Sequence, residues 1–151
     1  MPQTPLLILL AVDTSPNTWP LHDLALMRFS VESLLASQLL RYQSLGFEQA
    51  IIVANPGNQA EVNANIAQLR TLQARVVVQP EPKGIGDALL QAGLALSGDL
   101  SRPVYIARAQ DLVEEGLHQT LLNAHYNDRN LGLIVACEPE GFAPNGYLKI
   151  N

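Results

Sequence analysis

The stretch Gln79-Pro-Glu-Pro-Lys-Gly-Ile-Gly-Asp87 holds the densest set of groups able to handle a ligand. The Gln79 amide both gives and takes a hydrogen bond, as reading the edge of a base requires. Gly84 and Gly86 stand where a helical pattern begins, with Lys83 just before them. Backbone amides at such a place hold a planar base or an anion, although a plain turn before a helix uses the same glycines. Residues 13–21, Asp-Thr-Ser-Pro-Asn-Thr-Trp-Pro-Leu, follow the first apolar run and behave differently. A phosphate cradle needs glycines for close backbone approach and cations to balance charge. This loop has neither, and Asp13 brings a carboxylate, so it reads as a structural loop with Trp19 packing over a sheet edge.

Asp111, in Arg108-Ala-Gln-Asp-Leu112, is a candidate metal or ribose contact, or a residue that caps the next helix. Glu114 and Glu115 fit a solvated first turn that favours the helix dipole. His118 and His125 are seven apart on one side of a helix, and His22 lies far off in sequence. Without nearby cysteines or paired carboxylates, zinc is not indicated. Cys137 falls mid-strand and reads as a small hydrophobe. No Ser-His-Asp or Cys-His arrangement can be assembled.

The elements that must position these residues alternate regularly. Residues 5–12, 50–54, 75–79, 103–107 and 131–137 read as strands, and 146–150 as a sixth. Between them lie helices over 31–45, with Ser30 as cap and Gly46 as terminator; from Asn58 to about 72; over 87–96; and over 114–126. Right-handed crossovers then give an open, mostly parallel sheet with helices on both faces. Ligands in such sheets sit beyond the carboxyl ends of the strands. That directs attention to the loops after residues 12, 79 and 107. The last strand ends without a closing element, so the 151 residues read as a single domain, the front part of something longer.

Bulk composition narrows the function classes. Of 151 residues, 48% are hydrophobic and 15% charged, a balance suited to a parallel sheet covered on both faces. Net charge is −5, and the nine Lys and Arg form no run, which argues against nucleic acid and anionic membrane as partners. One cysteine allows no internal disulfide and suits a reducing compartment. The N-terminus has no basic leader, and 6–12 is too short to span a membrane, so a soluble, cytoplasmic protein is expected.

Several segments, taken in order, resemble the front of the sugar-phosphate nucleotidyltransferases, which make NDP-sugars from an NTP and a sugar 1-phosphate. The resemblance rests on the strand at 6–12 with Trp19-Pro20-Leu21, on 34–47 ending in Leu-Gly-Phe, and on Ile51-Ile-Val-Ala-Asn-Pro-Gly57. Its strongest part is Gln79 to Leu89, and Pro144-Asn-Gly-Tyr147 continues it. It implies a Rossmann-like three-layer αβα sandwich of the nucleotide-diphospho-sugar transferase type. It also implies nucleotide contacts at Gln79, Gly84 and Ile85, and a sugar contact at Gly146.

The departures bear on catalysis. The family's Gly-x-Gly-Thr-Arg loop is replaced by residues that include Asp13, Ser15, Pro16 and Asn17. Its phosphate-contacting Pro-Lys falls at Asp23-Leu24, with Arg28 the nearest cation. Its Mg²⁺-holding Gly-Asp falls at Ala109-Gln110, and Asp111 substitutes only with a one-residue slip. The base-reading side is kept and the phosphate side is lost, and phosphoryl transfer depends on cations and metal. The leading reading is a nucleotidyltransferase-like domain, catalytically impaired, serving as a binding or regulatory module for a nucleotide or sugar nucleotide. A second is an active enzyme with an atypical loop, using Mg²⁺ at Asp111 and Arg28 for phosphate. A third is a purely structural or interaction domain. Mg²⁺ is expected only with activity, and a homo-oligomer or protein partner is expected to cover the open sheet edge.

Overall fold

The structure is a computed structural model and describes residues 4–12, 23–29, 31–96, 102–127 and 132–136. The loop at 13–22, Ser30, Cys137 and the segment carrying Gly146 and the expected sixth strand lie outside the described residues. The chain divides into two compact units, Met1–Val113 and Glu114–Asn151.

In the first unit, β1 (Leu6–Ala11) is apolar throughout and buried along its whole length. Such a run has no solvent face and belongs inside a sheet with both sides covered. It pairs in parallel with β4 (Gln49–Ala54) on one side and β6 (Val104–Arg108) on the other, and β4 pairs in parallel with β5 (Gln73–Val78). The order β5-β4-β1-β6 puts the first strand between later ones, so every neighbour is reached by a crossover. The Rossmann-like α/β architecture expected from the sequence is present.

The two sheet faces have separate packing. Leu6, Ile8, Leu10, Ile51 and Val53 meet Ala88 and Ala92 of α3 (Ile85–Ala95). Leu7 and Leu9 point the other way, as does Tyr105, the register partner of Leu7. On that face Tyr42, from α1 (Leu34–Ser44), and Phe47 close edge-on against Tyr105, with centroids 5.3–6.0 Å apart. Burial holds the Tyr42 and Tyr105 phenols above their ordinary range. Both fold as neutral groups, so alkali beyond about pH 10, where the unfolded phenols ionise, removes stability.

Helix α1 starts three residues later than the apolar spacing predicts. Val31 is exposed and lies between two short antiparallel strands, β2 (Arg28–Phe29) and β3 (Glu32–Ser33). The cap is Ser33, whose Oγ accepts from the Ala36 amide at 3.1 Å and donates to Asn65 Oδ1 at 2.5 Å. Asn65 belongs to α2 (Gln59–Ile66), so one hydroxyl both starts α1 and fastens it to its neighbour. Ser33→Ala is expected to cost about 1–2 kcal/mol, read as a lower urea midpoint at unchanged slope. At the other end Gly46, with φ +89°, turns the chain back, and the Phe47 amide reaches the Tyr42 carbonyl at 3.1 Å.

Two further expectations differ from the structure. Helix α2 ends at Ile66 rather than near 72, because residues 67–72 turn to feed β5. Residues 132–136, expected within a fifth strand, pair with no strand among the described residues and are exposed. An apolar run becomes a strand only where a ladder partner exists. In the second unit, α4 (Glu115–Asn127) has Glu115 in its first turn, suited to the helix dipole.

Candidate functional site

The carboxyl ends of the four parallel strands fall at Ala11, Ala54, Val78 and Arg108. The described groups at this edge form two tight clusters and one looser pair.

The first cluster is built on Asn58. Asn55 Oδ1 accepts from the Gly57 and Asn58 amides at 2.8 and 3.0 Å, which folds 55–58 into a compact turn. Asn58 Oδ1 accepts from the Asn55 amide at 2.9 Å. Its Nδ2 donates to the Ala11 carbonyl at 2.7 Å and to Asp23 Oδ2 at 2.6 Å. Both partners of Nδ2 are acceptors, so chemistry fixes which way this amide faces. The place of Asn58 at the start of a helical pattern predicts a cap. Its side chain makes no capping bond; it ties the end of β1 to the turn after β4 and to Asp23. Asn-Pro-Gly-Asn signals a turn, and nothing in that composition reveals a partner 47 residues away.

The second cluster is built on Gln79. Its backbone amide extends the ladder to the Ala54 carbonyl at 2.8 Å, and the side chain is buried. Nε2 donates to the Gly84 carbonyl at 3.1 Å and to Asp87 Oδ2 at 2.8 Å. Both are acceptors, so the Nε2 hydrogens are committed inside the protein and the amide's orientation is fixed. Gly84 takes φ +92°, a conformation that favours glycine, and space is open where a Cβ would stand. Backbone can therefore be approached closely here. Asp87 sits in the first turn of α3, where the helix dipole favours a carboxylate. Gln79, Gly84 and Asp87 thus come together; Asp87 was not singled out from sequence, although its place eight residues after Gln79 was visible. Ile85 is half-exposed beside them, and Lys83 points to Glu81, Nζ to Oε2 3.0 Å.

The third group lies beyond β6, three strands along the sheet from Gln79. Asp111 Oδ1 stands 3.8 Å from Arg108 Nε, and both side chains are substantially exposed. The backbone around Asp111 is held from α1: Gln38 Nε2 donates to the Asp111 carbonyl at 2.9 Å and Arg41 Nη1 to the Val113 carbonyl at 2.6 Å. Asp111 thus already faces a guanidinium, and no second acidic or imidazole ligand is grouped beside it among the described residues. No His, Cys, Asp or Glu cluster of metal-holding size occurs among the described residues, His118 and His125 included. No helix among them is long and apolar enough to cross a membrane.

Comparison with known proteins supplies the family. No curated protein matches the sequence. Among solved structures the fold is similar to Rv0371c from Mycobacterium tuberculosis H37Rv, with TM-score 0.60, 16% identity, and coverage of 83% of this chain and 62% of that one. A UDP-glucose pyrophosphorylase complexed with UDP-glucose gives 0.60 and 16%, over 83% of this chain and 55% of that one. The 4-diphosphocytidyl-2C-methyl-D-erythritol synthase from Anaerococcus prevotii gives 0.59 and 12%, over 82% and 51%. The chain therefore spans between about half and three-fifths of the length of these structures. A profile of the nucleotidyl transferase family matches residues 23–150, and by that match the chain belongs to the nucleotidyl transferase family.

Proposed function

We propose that this chain is a nucleotide-binding domain of the family in which nucleotidyl transfer is impaired, serving as a binding or regulatory module. The observation that carries the reading is Asp23. The resemblance puts the family's phosphate-contacting Pro-Lys at Asp23-Leu24, where the chain has a carboxylate and a leucine and no lysine, and Asn58 fixes that carboxylate at the end of β1. A carboxylate and a strand-end carbonyl repel a polyphosphate instead of neutralising it. The Arg108–Asp111 pair supports the same reading, because Asp111 already faces a cation and is poorly placed to recruit Mg²⁺. The base side is different. The Gln79 amide is pre-set by its two Nε2 bonds, Gly84 leaves room beside it, and Ile85 offers apolar surface. Such a site accepts a hydrogen bond from a base N–H. A sugar contact at Gly146, and a place as the front part of a longer architecture, belong to the same reading.

Incubation with each NTP, Mg²⁺ and a panel of sugar 1-phosphates should release pyrophosphate at well under about 1 s⁻¹. Turnover above that supports instead an active enzyme that uses Arg28, exposed on β2, for phosphate. Calorimetry should detect nucleotide binding, and Gln79→Ala should weaken it about tenfold or more, because the base N–H loses its acceptor. An unchanged affinity would misplace the base, and no binding by the unmodified protein favours an interaction domain.

A further inference from the structure

The opposite edge of the sheet carries a second concentration of polar groups. Ile51 pairs with both Ile8 and Arg75, and Gln49 pairs with Gln73 two residues earlier. Side chains alternate along a strand, so Gln49, Gln73 and Arg75 all project to the face that α3 covers. At this amino edge α3 has already ended, and a pocket of about 360 Å³ opens. Ile51 and Leu96 give it apolar lining; Gln49, Gln73, Arg75 and Arg102 give it polar lining; no acidic residue among the described residues lines it.

The donors are already ordered. Arg102 Nε and Nη2 donate to the Thr4 carbonyl at 3.1 and 3.0 Å, and Nη1 donates to Gln49 Oε1. Three of the five guanidinium hydrogens are used, and two remain. Accepting from Arg102 turns the Gln49 amide so that its NH₂ is the free end. Arg75 is exposed and has no protein partner among the described residues. In a chain with net charge −5 and nine basic residues, two guanidiniums share a pocket that no acidic residue lines among the described residues. Nothing inside the described protein offsets them, so an anion from solution is the group that completes the arrangement.

We infer that this pocket binds a small phosphate monoester. A phosphomonoester carries close to two negative charges at pH 7 and three acceptor oxygens, matching two guanidiniums and two amides. A single carboxylate brings one charge and two oxygens. The apolar lining accepts the body of the ester, and the volume suits a small molecule. The strands between the two edges are five or six residues long, so this site stands roughly 17–20 Å from the carboxyl-edge loops. It is independent of base reading at Gln79.

Titration with phenyl phosphate in 0.15 M NaCl, followed by calorimetry and amide chemical shifts, tests the site. Saturable binding with a millimolar or tighter Kd is expected, with shifts at residues 49, 73, 75 and 102 and weaker binding of both inorganic phosphate and benzoate. Arg75→Ala should weaken binding about tenfold, and Arg75→Lys less, because lysine keeps the charge without the fork. Arg75 is exposed, so the variant should melt as the unmodified protein does, and nucleotide binding should be unchanged. Absence of saturation by about 10 mM, or equal affinity of the Arg75→Ala variant, overturns the site. Equal binding of inorganic phosphate or of benzoate overturns the ester assignment.

Discussion

Asn58→Asp is expected to destabilise the protein by about 3–5 kcal/mol at neutral pH, although it changes one NH₂ to an oxygen. The new oxygen would face the Ala11 carbonyl and the Asp23 carboxylate, where an amide nitrogen now donates at 2.7 and 2.6 Å. Two favourable contacts become two repulsive ones, at a residue only 5% exposed. Asn58→Ala leaves the carbonyl and the carboxylate unpaired and should cost less, about 2–3 kcal/mol. The two variants separate with pH. Burial and the neighbouring Asp23 raise the folded-state pKa of the introduced carboxyl above its unfolded value of about 3.9. Its penalty is therefore complete above the raised value and fades as pH falls toward 4. Urea denaturation at pH 7 and pH 4.5 should show the Asp variant recovering relative to the Ala variant. A penalty that does not change with pH would mean that residue 58 faces water in solution.

Leu9→Ala is expected to cost about 3–5 kcal/mol and to lower Tm by roughly 10 °C. Leu9 is fully buried on the central strand, flanked by Ile52 of β4 and Ala107 of β6. Strands bonded on both sides cannot close the gap, so most of the deleted volume remains as a cavity. Leu9→Met, nearly equal in volume, should cost less than about 1.5 kcal/mol. Thermal melts of both variants decide the matter: equal losses would show that the site collapses freely and that the sheet is looser than its register implies.

Helix and strand were legible in the sequence wherever a single physical demand ruled. Residues 6–11 can only be a doubly covered strand, and Leu34, Leu35, Leu39 and Tyr42 recur at the helical period and are buried. Boundaries went astray where local chemistry had rivals. Ser30 and Ser33 both precede the apolar run of α1, and the bonds to the Ala36 amide and to Asn65 single out Ser33. Residues 132–136 are as apolar as β4, but apolarity carries no information about a ladder partner. Gln79 stood out because an amide at a strand end is chemically conspicuous. The cluster that fixes its orientation was half visible, with Gly84 singled out and Asp87 not. The bond between Asn58 and Asp23 spans 35 residues and leaves no local trace in the sequence.

The pairing of Leu6 with Val104 sets a timetable for synthesis. At about 5–20 residues per second, β6 is made roughly 5–20 s after β1. Its other neighbour, β4, arrives in less than half that time. During the interval the most apolar strand of the chain has an open flank and no native means of closing it. The nascent chain is thus a natural client for holding chaperones. Faster translation, or a break in the message before codon 104, should change the yield of folded protein far more than the equilibrium stability of the finished domain.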